Sequence, residues 1–560
     1  MTGRVHRGDV GGVAAFWVDS GRPTLSGSLI FRHGMVDETL STSGWTHLLE
    51  HLALHGRGKG PLQVNGSVSL LHTRFDAHGP ADAVATTLTA VSEWLSVPEF
   101  GELDRERSVL RAEALVRGPG EISQGLMWRY GARGPGLSAC VEPGLARVTP
   151  TALTDLARSV FVRENCALYL DGPPPDSLRL DLPSGALRPP PRAVPCSNEL
   201  PGAYLVASGI VMSGVAPRST AAMILAHVLR EQFTAEFRER YGSAYAPWSH
   251  YEPVDDESAV LLWGSDADHV LRQTIAERAL VQLSRLVGGT LKTALVMDAV
   301  DQMVQSMSDP YNLAGLASRA AVDHLRSAPA RSLQECVEEA RSVRFADVTD
   351  VAGALQATLL MGIGGEALWK RELPMLSMPI GPRQAGTSHL SMDFPASREC
   401  LVVGTDSLQI GSAKSSLTLR GGEIVGMLVY PDGGRQVVDK DGWSIAVEPT
   451  LWRRGRAAVA AVDALVPCDL HLAMPDRGPD RVPRPASARR RASHVGRQLW
   501  MALRAQYVFV LLALSLPLLA VAFATVGMGA LAGLFALGAW LWRREVERGL
   551  PSDWRERAGR

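Results

Sequence analysis

The stretch from Leu29 to Leu52 reads LIFRHGMVDETLSTSGWTHLLEHL and joins a strand pattern to a helix pattern. Residues 25–31 have the apolar character of a strand, and residues 41–44 supply the small polar residues that begin helices. In the helix that follows, His47 and His51 are one turn apart and project from one face. Both imidazoles can therefore reach one metal ion, and the sequence predicts a zinc site on this helix.

Glu50 lies three residues after His47 and directly before His51, so its carboxylate is expected at the rim of the same face. There it can accept a proton from a water molecule that zinc makes acidic, and pass that proton to a leaving amine. Two histidines leave zinc short of a protein ligand, and a third must come from elsewhere. An alternative stays open, because a helix with several histidines, His55 included, also suits a merely polar surface.

The wider pattern resembles the insulinase/pitrilysin (M16) family of zinc metallopeptidases. In that family a strand ending in Gly-x-x-x-Glu precedes a Gly-x-x-His-x-x-Glu-His helix, and here Gly34 and Glu38 precede the helix that begins after Gly44. The resemblance covers about residues 10–360. It implies peptide-bond hydrolysis with Zn²⁺ as the cofactor.

The resemblance also supplies the missing ligand. The family's third zinc ligand is a glutamate on a later helix, with another glutamate seven residues before it. The stretch Asp104-Arg105-Glu106-Arg107-Ser108-Val109-Leu110-Arg111-Ala112-Glu113 matches that pattern. Glu113 is thereby implied as the ligand and Glu106 as a residue that supports the metal ligands from behind, although the interval from His51 to Glu113 is shorter than is usual in the family.

Two further segments resemble substrate-binding parts of the family. Phe237-Arg238-Glu239-Arg240-Tyr241-Gly242-Ser243-Ala244-Tyr245 is similar to the Arg-Glu-x-x-Gly-x-Ala-Tyr segment of the non-catalytic half. This implies that Arg238 and Tyr245 hold the substrate backbone and stabilise the oxyanion. Asn65 falls where the family has a strand that pairs with an extended substrate, although the following Gly66 departs from the family's alanine.

The implied activity leaves several partners and roles open. Family members of this half-length usually pair to enclose a chamber, and this chain carries both the zinc motif and the Arg/Tyr pair. We therefore expect a homodimer that cleaves peptides or unfolded segments, with a heterodimer as the other possibility. A catalytically silent scaffold and a membrane adaptor are the alternative functions.

Composition narrows the class of protein. The 560 residues carry a formal net charge of −1, which argues against general attraction to nucleic acid. The six cysteines form no Cys-x-x-Cys pair, so neither a disulfide framework nor a thiolate zinc site is indicated. Residues 1–10 are polar and unlike a signal peptide, so the first domains are expected in a reducing cytoplasm.

The chain divides by pattern into several regions, which together predict an α+β protein. An M16-like catalytic domain is expected over residues 1–172 and a second, non-catalytic M16-like domain over residues 201–385, each an αβ sandwich. Residues 173–200 between them are rich in proline, which is typical of a linker. Short alternating strands and a final helix at residues 455–465 predict a small β-barrel over residues 397–475, which resembles a bacterial pleckstrin-homology-like (PH-like) domain.

The C-terminal region has the composition of a membrane anchor. After a Pro/Arg-rich linker at residues 476–504, no charge appears in residues 505–542. One straight helix of that length would measure roughly 57 Å, against about 30 Å for the hydrocarbon core. Two short transmembrane helices fit better, with arginines on both flanks that place both ends, and the tail at residues 543–560, on the cytoplasmic side of a bacterial membrane. A single tilted span and a buried helix remain the alternatives.

Overall fold

The computed structural model describes residues 4–58, 61–117, 120–196, 199–206, 209–267, 270–290, 293–309, 312–364, 373–376, 378–394, 397–412, 415–486 and 536–541. The chain divides into two compact units. One comprises Met1–Leu390 with Glu399–Pro483, and the other comprises Ser391–Arg398 with Arg484–Arg560. Every numbered strand and helix below belongs to the first unit.

The first sheet is mixed and has the strand order β1-β2-β6-β3-β5-β4. Its strands are β1 His6–Val10, β2 Val13–Trp17, β3 Leu25–Phe31, β4 Gln63–Val68, β5 Thr73–Gly79 and β6 Cys166–Leu170. The helices of this part of the chain are α1 Trp45–Leu54, α2 Ala81–Ser96, α3 Leu103–Arg117, α4 Glu121–Tyr130 and α5 Pro150–Val160. The residues of β1 alternate between half-buried and exposed, so this strand lacks the apolar pattern of the others.

The apolar faces of α1, α2 and α5 cover one face of this sheet. Leu48 and Leu49 of α1 and Leu88 of α2 are fully or almost fully buried in the same cluster as Leu29 of β3. Burying each such side chain contributes roughly 1.5–3 kcal/mol. The packing fixes the buried side of α1, and the opposite side carries the histidines.

The second sheet has the order β7-β11-β8-β10-β9. Its strands are β7 Gly202–Val206, β8 Ile210–Pro217, β9 Trp248–Pro253, β10 Ser258–Ser265 and β11 Leu360–Gly364. The accompanying helices are α6 Thr220–Phe233, α7 Arg272–Val287, α8 Thr293–Ser308, α9 Ala314–His324, α10 Leu333–Ser342 and α11 Phe345–Ala357. Helix α6 continues directly into a π-helical turn at Thr234–Arg240.

Each of these two sheets receives one helix from the other part of the chain. Leu126 and Tyr130 of α4 pack with Val260 and Leu262 of the second sheet. In return, α9 lies against β2 and β6 and buries Ala317 on the outer face of the first sheet. The two α/β layers are therefore interlocked rather than joined only by their connecting segment.

The proline-rich connecting segment packs along the first sheet and its helices. Leu178, Leu180 and Leu182 are buried in the first core, in alternation with more exposed residues. The backbone N–H of Arg163 donates to Pro183 O at 3.0 Å, and the Arg32 guanidinium donates to Arg188 O at 2.9 Å. The segment thus has a fixed course over much of its length.

The region predicted as a β-barrel forms two sheets instead. A five-stranded sheet has the order β12-β16-β15-β14-β13 and a four-stranded sheet has the order β19-β18-β17-β20. The strands are β12 Ile380–Gly381, β13 Thr387–Leu390, β14 Cys400–Val403, β15 Ser407–Gly411, β16 Ser416–Arg420, β17 Ile424–Val429, β18 Arg435–Asp439, β19 Ser444–Val447 and β20 His471–Ala473. The predicted helix is confirmed as α12 Gly455–Leu465.

The predicted small β-barrel is not seen as one closed sheet, since within the described residues no strand of one sheet pairs with a strand of the other. A shared apolar core joins them, with Leu419, Ile445 and Val462 buried. Turn signals in a sequence locate strands, but closure depends on pairing between distant strands. We call this region, residues 380–390 with 399–473, the C-terminal β domain.

No helix among the described residues is both long enough and apolar enough to cross a membrane. The predicted membrane segment at residues 505–542 lies outside the described residues except for a helical stretch at residues 536–541. The tail at residues 543–560 also lies outside them, as does most of the preceding Pro/Arg-rich linker.

Candidate metal centre

The N-terminus of α1 is fixed by Glu38. Its carboxylate accepts hydrogen bonds from Gly44 N at 2.9 Å and Thr46 N at 2.8 Å, which satisfies two N–H groups that a helix start leaves unpaired. Gly44 has φ +86°, a conformation that favours glycine, and a Cβ there would lie 2.7 Å from Glu142 Cβ. Burial raises the pKa of Glu38 to about 7, against the opposing effect of the two N–H donors.

The structure brings His47, Glu50 and His51 together. One nitrogen or oxygen atom from each of the three lies within 4.8 Å of the others. The Nε2 atoms of His47 and His51 lie 3.8 Å and 3.9 Å from Glu50 Oε2, and Glu50 is only 5% exposed. The one-turn spacing in the sequence therefore produces a single cluster on one face of α1.

The other ring nitrogen of each histidine has a carboxylate partner. His47 Nδ1 is 2.8 Å from Glu142 Oε1, and His51 Nδ1 is 3.2 Å from Glu106 Oε2. Such partners fix the orientation of a ligating imidazole and raise its basicity. Burial lowers the pKa of His47, but the hydrogen bond and charge of Glu142, with the charges of Glu50 and Glu113, outweigh burial and raise it above its ordinary value.

Helix α3 supplies the remaining carboxylates. Glu113 Oε1 lies 3.7 Å from His51 Nε2, on the side of the ring that faces Glu50. Glu106, two turns earlier, uses its other oxygen to accept from His55 Nδ1 at 2.8 Å. The structure thus places both glutamates of the seven-residue pair beside α1, and it gives His55 a structural partner.

This donor set fits a zinc ion. Zinc in hydrolytic sites is commonly held by two imidazole nitrogens and one carboxylate, with a further position left for water or substrate. Here the Nδ1 atom of each histidine is hydrogen-bonded to a glutamate, and the Nε2 atom of each faces Glu50. Glu113 Oε1 lies near the Nε2 atom of His51. His47, His51 and Glu113 would hold the ion, and Glu50 is close enough to act beside it.

Strand β4 borders the cluster and is an edge of the first sheet. Asn65 of β4 is exposed, and it is paired with Asp76 of the neighbouring strand β5. Gly66 faces α1, and a Cβ on it would lie 1.8 Å from Glu50 Oε1 and 2.7 Å from Leu54 Cδ1. The departure from alanine at residue 66 therefore makes room for the Glu50 carboxylate.

Replacing Gly66 with alanine should displace the Glu50 carboxylate, since both obstructing atoms are ends of flexible side chains. If the chain has the zinc-dependent peptidase activity that the family resemblance implies, we expect the melting temperature and zinc content to change little, and cleavage of a test peptide to fall by about 10- to 100-fold. Ser67→Ala, on the exposed face of the same strand, is the matched control. Equal cleavage by the two variants would contradict this role of Gly66.

Arg238 and Tyr245 lie together elsewhere, on the segment that follows α6. The Arg238 guanidinium is 5.8 Å from the centre of the Tyr245 ring, and Tyr245 is 78% exposed. Asp266 accepts from Tyr245 N at 2.9 Å. The pair is solvent-facing on the part of the chain that carries the second sheet, whereas the histidines lie on α1 against the first.

Glu142 is the residue at this centre that sequence reasoning missed. It belongs to none of the motifs and is 95 positions from His47 along the chain. The one available signal was general: a metal-binding imidazole usually donates its second N–H to a carboxylate or carbonyl. That rule predicts that a partner exists but not which residue provides it.

Comparisons with known proteins bear on the fold. A scan against protein-family models found no match, and a search of curated proteins found none either. Among solved structures, the inactive domain of an M16 peptidase from Pseudomonas fluorescens has a TM-score of 0.54 at 13% identity, over 66% of this chain and 100% of that chain. A protease from Helicobacter pylori has a TM-score of 0.53 at 13% identity, over 64% and 99%.

A chain of complex III2 from Candida albicans has a TM-score of 0.55 at 14% identity, over 66% of this chain and 98% of that chain. The TM-scores of 0.53–0.55 show a common fold, and identities of 13–14% show no common activity. The neighbours include a protease as well as an inactive domain, so this fold is compatible with both an enzyme and a silent protein. The chain has the M16 peptidase fold, and two histidines and a glutamate of its α1 helix form a cluster suited to a metal ion.

Proposed function

We propose that this protein is a zinc-dependent endopeptidase that hydrolyses peptides or unfolded segments. The observation that carries the proposal is that His47 and His51 are each oriented through Nδ1 by a glutamate, while both Nε2 atoms face Glu50. A merely polar helix surface has no need of two oriented imidazoles around a buried carboxylate. The protease-like fold supports this proposal.

Zinc, when bound by His47, His51 and Glu113, would polarise a peptide carbonyl and make a water molecule acidic. Glu50 would accept the proton of the attacking water and deliver it to the leaving amine, because its carboxylate is close to both Nε2 atoms. The β4 edge, with Asn65 on its exposed face, accepts the substrate as an added strand.

We propose further that two copies of the chain complete each other's sites. Arg238 and Tyr245 are exposed and lie on a different sheet layer from the histidines. A cation and a phenol in this arrangement can hold a substrate backbone and stabilise an oxyanion. In a two-fold dimer the Arg238–Tyr245 pair of one chain faces the zinc motif of the other. A heterodimer with a related chain is the alternative assembly.

The anchoring proposal rests on the sequence. Residues 505–542 carry no charge, and arginines flank them on both sides. We place the catalytic domains on the cytoplasmic face of a bacterial membrane, held there by one or two spans. The C-terminal β domain, two sheets with the helix α12, would be the PH-like domain next to the membrane.

A silent scaffold is the second candidate, and the likeness to an inactive M16 domain favours it. The two histidines, Glu50 and Glu113 all remain in this chain and are brought together, which favours the enzyme.

Metal removal distinguishes the two candidates. We expect the purified full-length chain to contain about one zinc ion and to cleave unstructured fluorogenic peptides. A chelator should abolish cleavage, and added Zn²⁺ should restore it. Cleavage by metal-free protein would contradict the proposal, and zinc binding without cleavage of any peptide in a mixed-sequence library would favour the scaffold.

A further inference from the structure

The loop that carries Glu142 touches the start of α1. Trp45 Nε1 donates to Gly144 O at 2.9 Å, and Gly144 N donates to Ser43 Oγ at 3.2 Å. Glu142 itself has φ +50°, an uncommon conformation for a residue with a side chain. The Glu142 carboxylate is therefore placed against His47 by a loop whose backbone conformation must be held by its surroundings.

The C-terminal β domain provides the outer support of the same loop region. Leu137 and Ala132 are buried in one apolar cluster with Leu472 and Val438 of that domain and with Leu40. Two polar contacts reinforce this cluster. Ala132 N donates to Lys440 O at 3.1 Å, and Arg133 pairs with Asp441 at 3.2 Å.

The approach between the two parts is close. A Cβ on Gly131 would lie 2.2 Å from Lys440 O, so the backbones of these two segments are in direct contact. At the other end of the loop, Arg147 donates to Cys468 O at 3.5 Å. The loop from residue 131 to residue 147 thus lies between α1 on one side and the C-terminal β domain on the other.

The same loop forms a wall of a cavity beside the metal centre. A cavity of about 120 Å³ is lined by His47 and Glu113 on one side and by Leu137, Cys140 and Glu142 on the other. A movement of the loop would therefore change both the partner of His47 and the space next to it. Among the described residues, the apolar cluster that buries Leu137 includes Leu472 and Val438 of the C-terminal β domain and no residue of the first sheet.

We propose that Glu142 is a positioning residue for His47 and that the C-terminal β domain holds it in place, so that metal affinity depends on the packing of this domain. The inference rests on the proposed function in taking His47 as a zinc ligand. It makes the C-terminal β domain part of the metal centre's construction. A ligand or membrane contact that shifts that domain would alter zinc binding at α1.

The first test measures zinc affinity by competition with a chromophoric chelator, and the ligand field by Co²⁺ absorption, on the full-length chain. Glu142→Ala should weaken zinc binding by about 10- to 100-fold and alter the Co²⁺ spectrum. Glu142→Gln, whose amide oxygen can still accept from Nδ1–H, should recover much of the affinity. Glu164→Ala, which removes a carboxylate bonded to Gly185 N in the same part of the chain, is the control.

The second test compares two leucines of the C-terminal β domain that are both fully buried. Leu472 lies in the cluster with Leu137, whereas Leu419 lies in the domain's own core. Leu472→Ala should weaken zinc binding several-fold, and Leu419→Ala should leave it unchanged at a comparable loss of melting temperature. Measuring both by the same competition assay separates support of the loop from general destabilisation.

The outcomes differ from those that test the enzyme. Unchanged affinity in Glu142→Ala, or equal effects of the two leucine substitutions, would overturn the inference while leaving the peptidase proposal intact. A wild-type chain that binds zinc but cleaves nothing would remove the peptidase proposal and leave this inference standing. A wild-type chain that binds neither zinc nor Co²⁺ would overturn both.

Discussion

Replacing Glu50 with glutamine is expected to lower kcat/KM for peptide cleavage by about 10²- to 10⁴-fold, the usual contribution of a general base. Glutamine has nearly the same shape, so it should keep the contact with Gly66 and the packing of a side chain that is only 5% exposed. It cannot take up a proton at pH 7. Zinc content and melting temperature should therefore stay close to those of the wild type, and a peptide assay with metal analysis checks both.

Glu113→Gln is the matched comparison, because it changes a carboxylate of the same centre in the same way. If Glu113 is a ligand, this variant binds zinc more weakly and loses cleavage for that reason. Its cleavage should therefore recover in part with excess Zn²⁺. Glu50→Gln should not be rescued by excess metal. Wild-type cleavage by Glu50→Gln would refute its role as the base, and full zinc affinity in Glu113→Gln would remove that residue from the ligand set.

Heterodimers that combine one Glu50→Gln chain with one Arg238→Ala chain should recover about half of the wild-type cleavage rate, although each variant alone is nearly inactive. In a dimer with shared sites, one site receives both defects, and the other receives an intact zinc motif and an intact Arg238–Tyr245 pair. Two different affinity tags allow the mixed dimers to be isolated. Cleavage per dimer is then measured against wild-type dimers carrying the same tags.

The control is a mixed dimer of Glu50→Gln with Glu113→Gln. Both changes lie in the zinc motif half, so every shared site contains one of them and no recovery is expected. If the Glu50→Gln/Arg238→Ala dimer also fails to recover, the two residues act within one chain. If the tagged chains do not associate at all, the homodimer proposal is refuted directly.

The residues of the metal centre differ in how far the sequence could predict them. The spacing of His47 and His51 is local, and helical geometry alone puts them on one face. Glu113 and Glu106 lie more than fifty positions away and were expected only through the family resemblance, yet α3 does bring them to His51. The exposed position of Arg238 and Tyr245 does not follow from their motif, since burial depends on the layer against which the segment packs.

In the C-terminal region the sequence predicted a local element well and the long-range contacts poorly. Its final helix was predicted to the residue, because α12 has a regular apolar pattern between clear boundaries. The predicted barrel is not seen as one closed sheet, because the number of strands does not determine which strands pair. The contact of this region with the loop at residues 131–147 had no signal in the sequence, since it joins apolar side chains about 300 positions apart.

The sequence by itself determined the helix α1, its buried leucine face and the pair of histidines on the other face, because a helical period fixes side-chain directions over a few residues. Tertiary structure decided the rest of the centre. It selected Glu142 and Glu106 as the partners of the two imidazoles, and it placed Gly66 where the Glu50 carboxylate needs room. These choices join residues that are distant in the chain, and only the packing of whole layers brings such residues within hydrogen-bond distance.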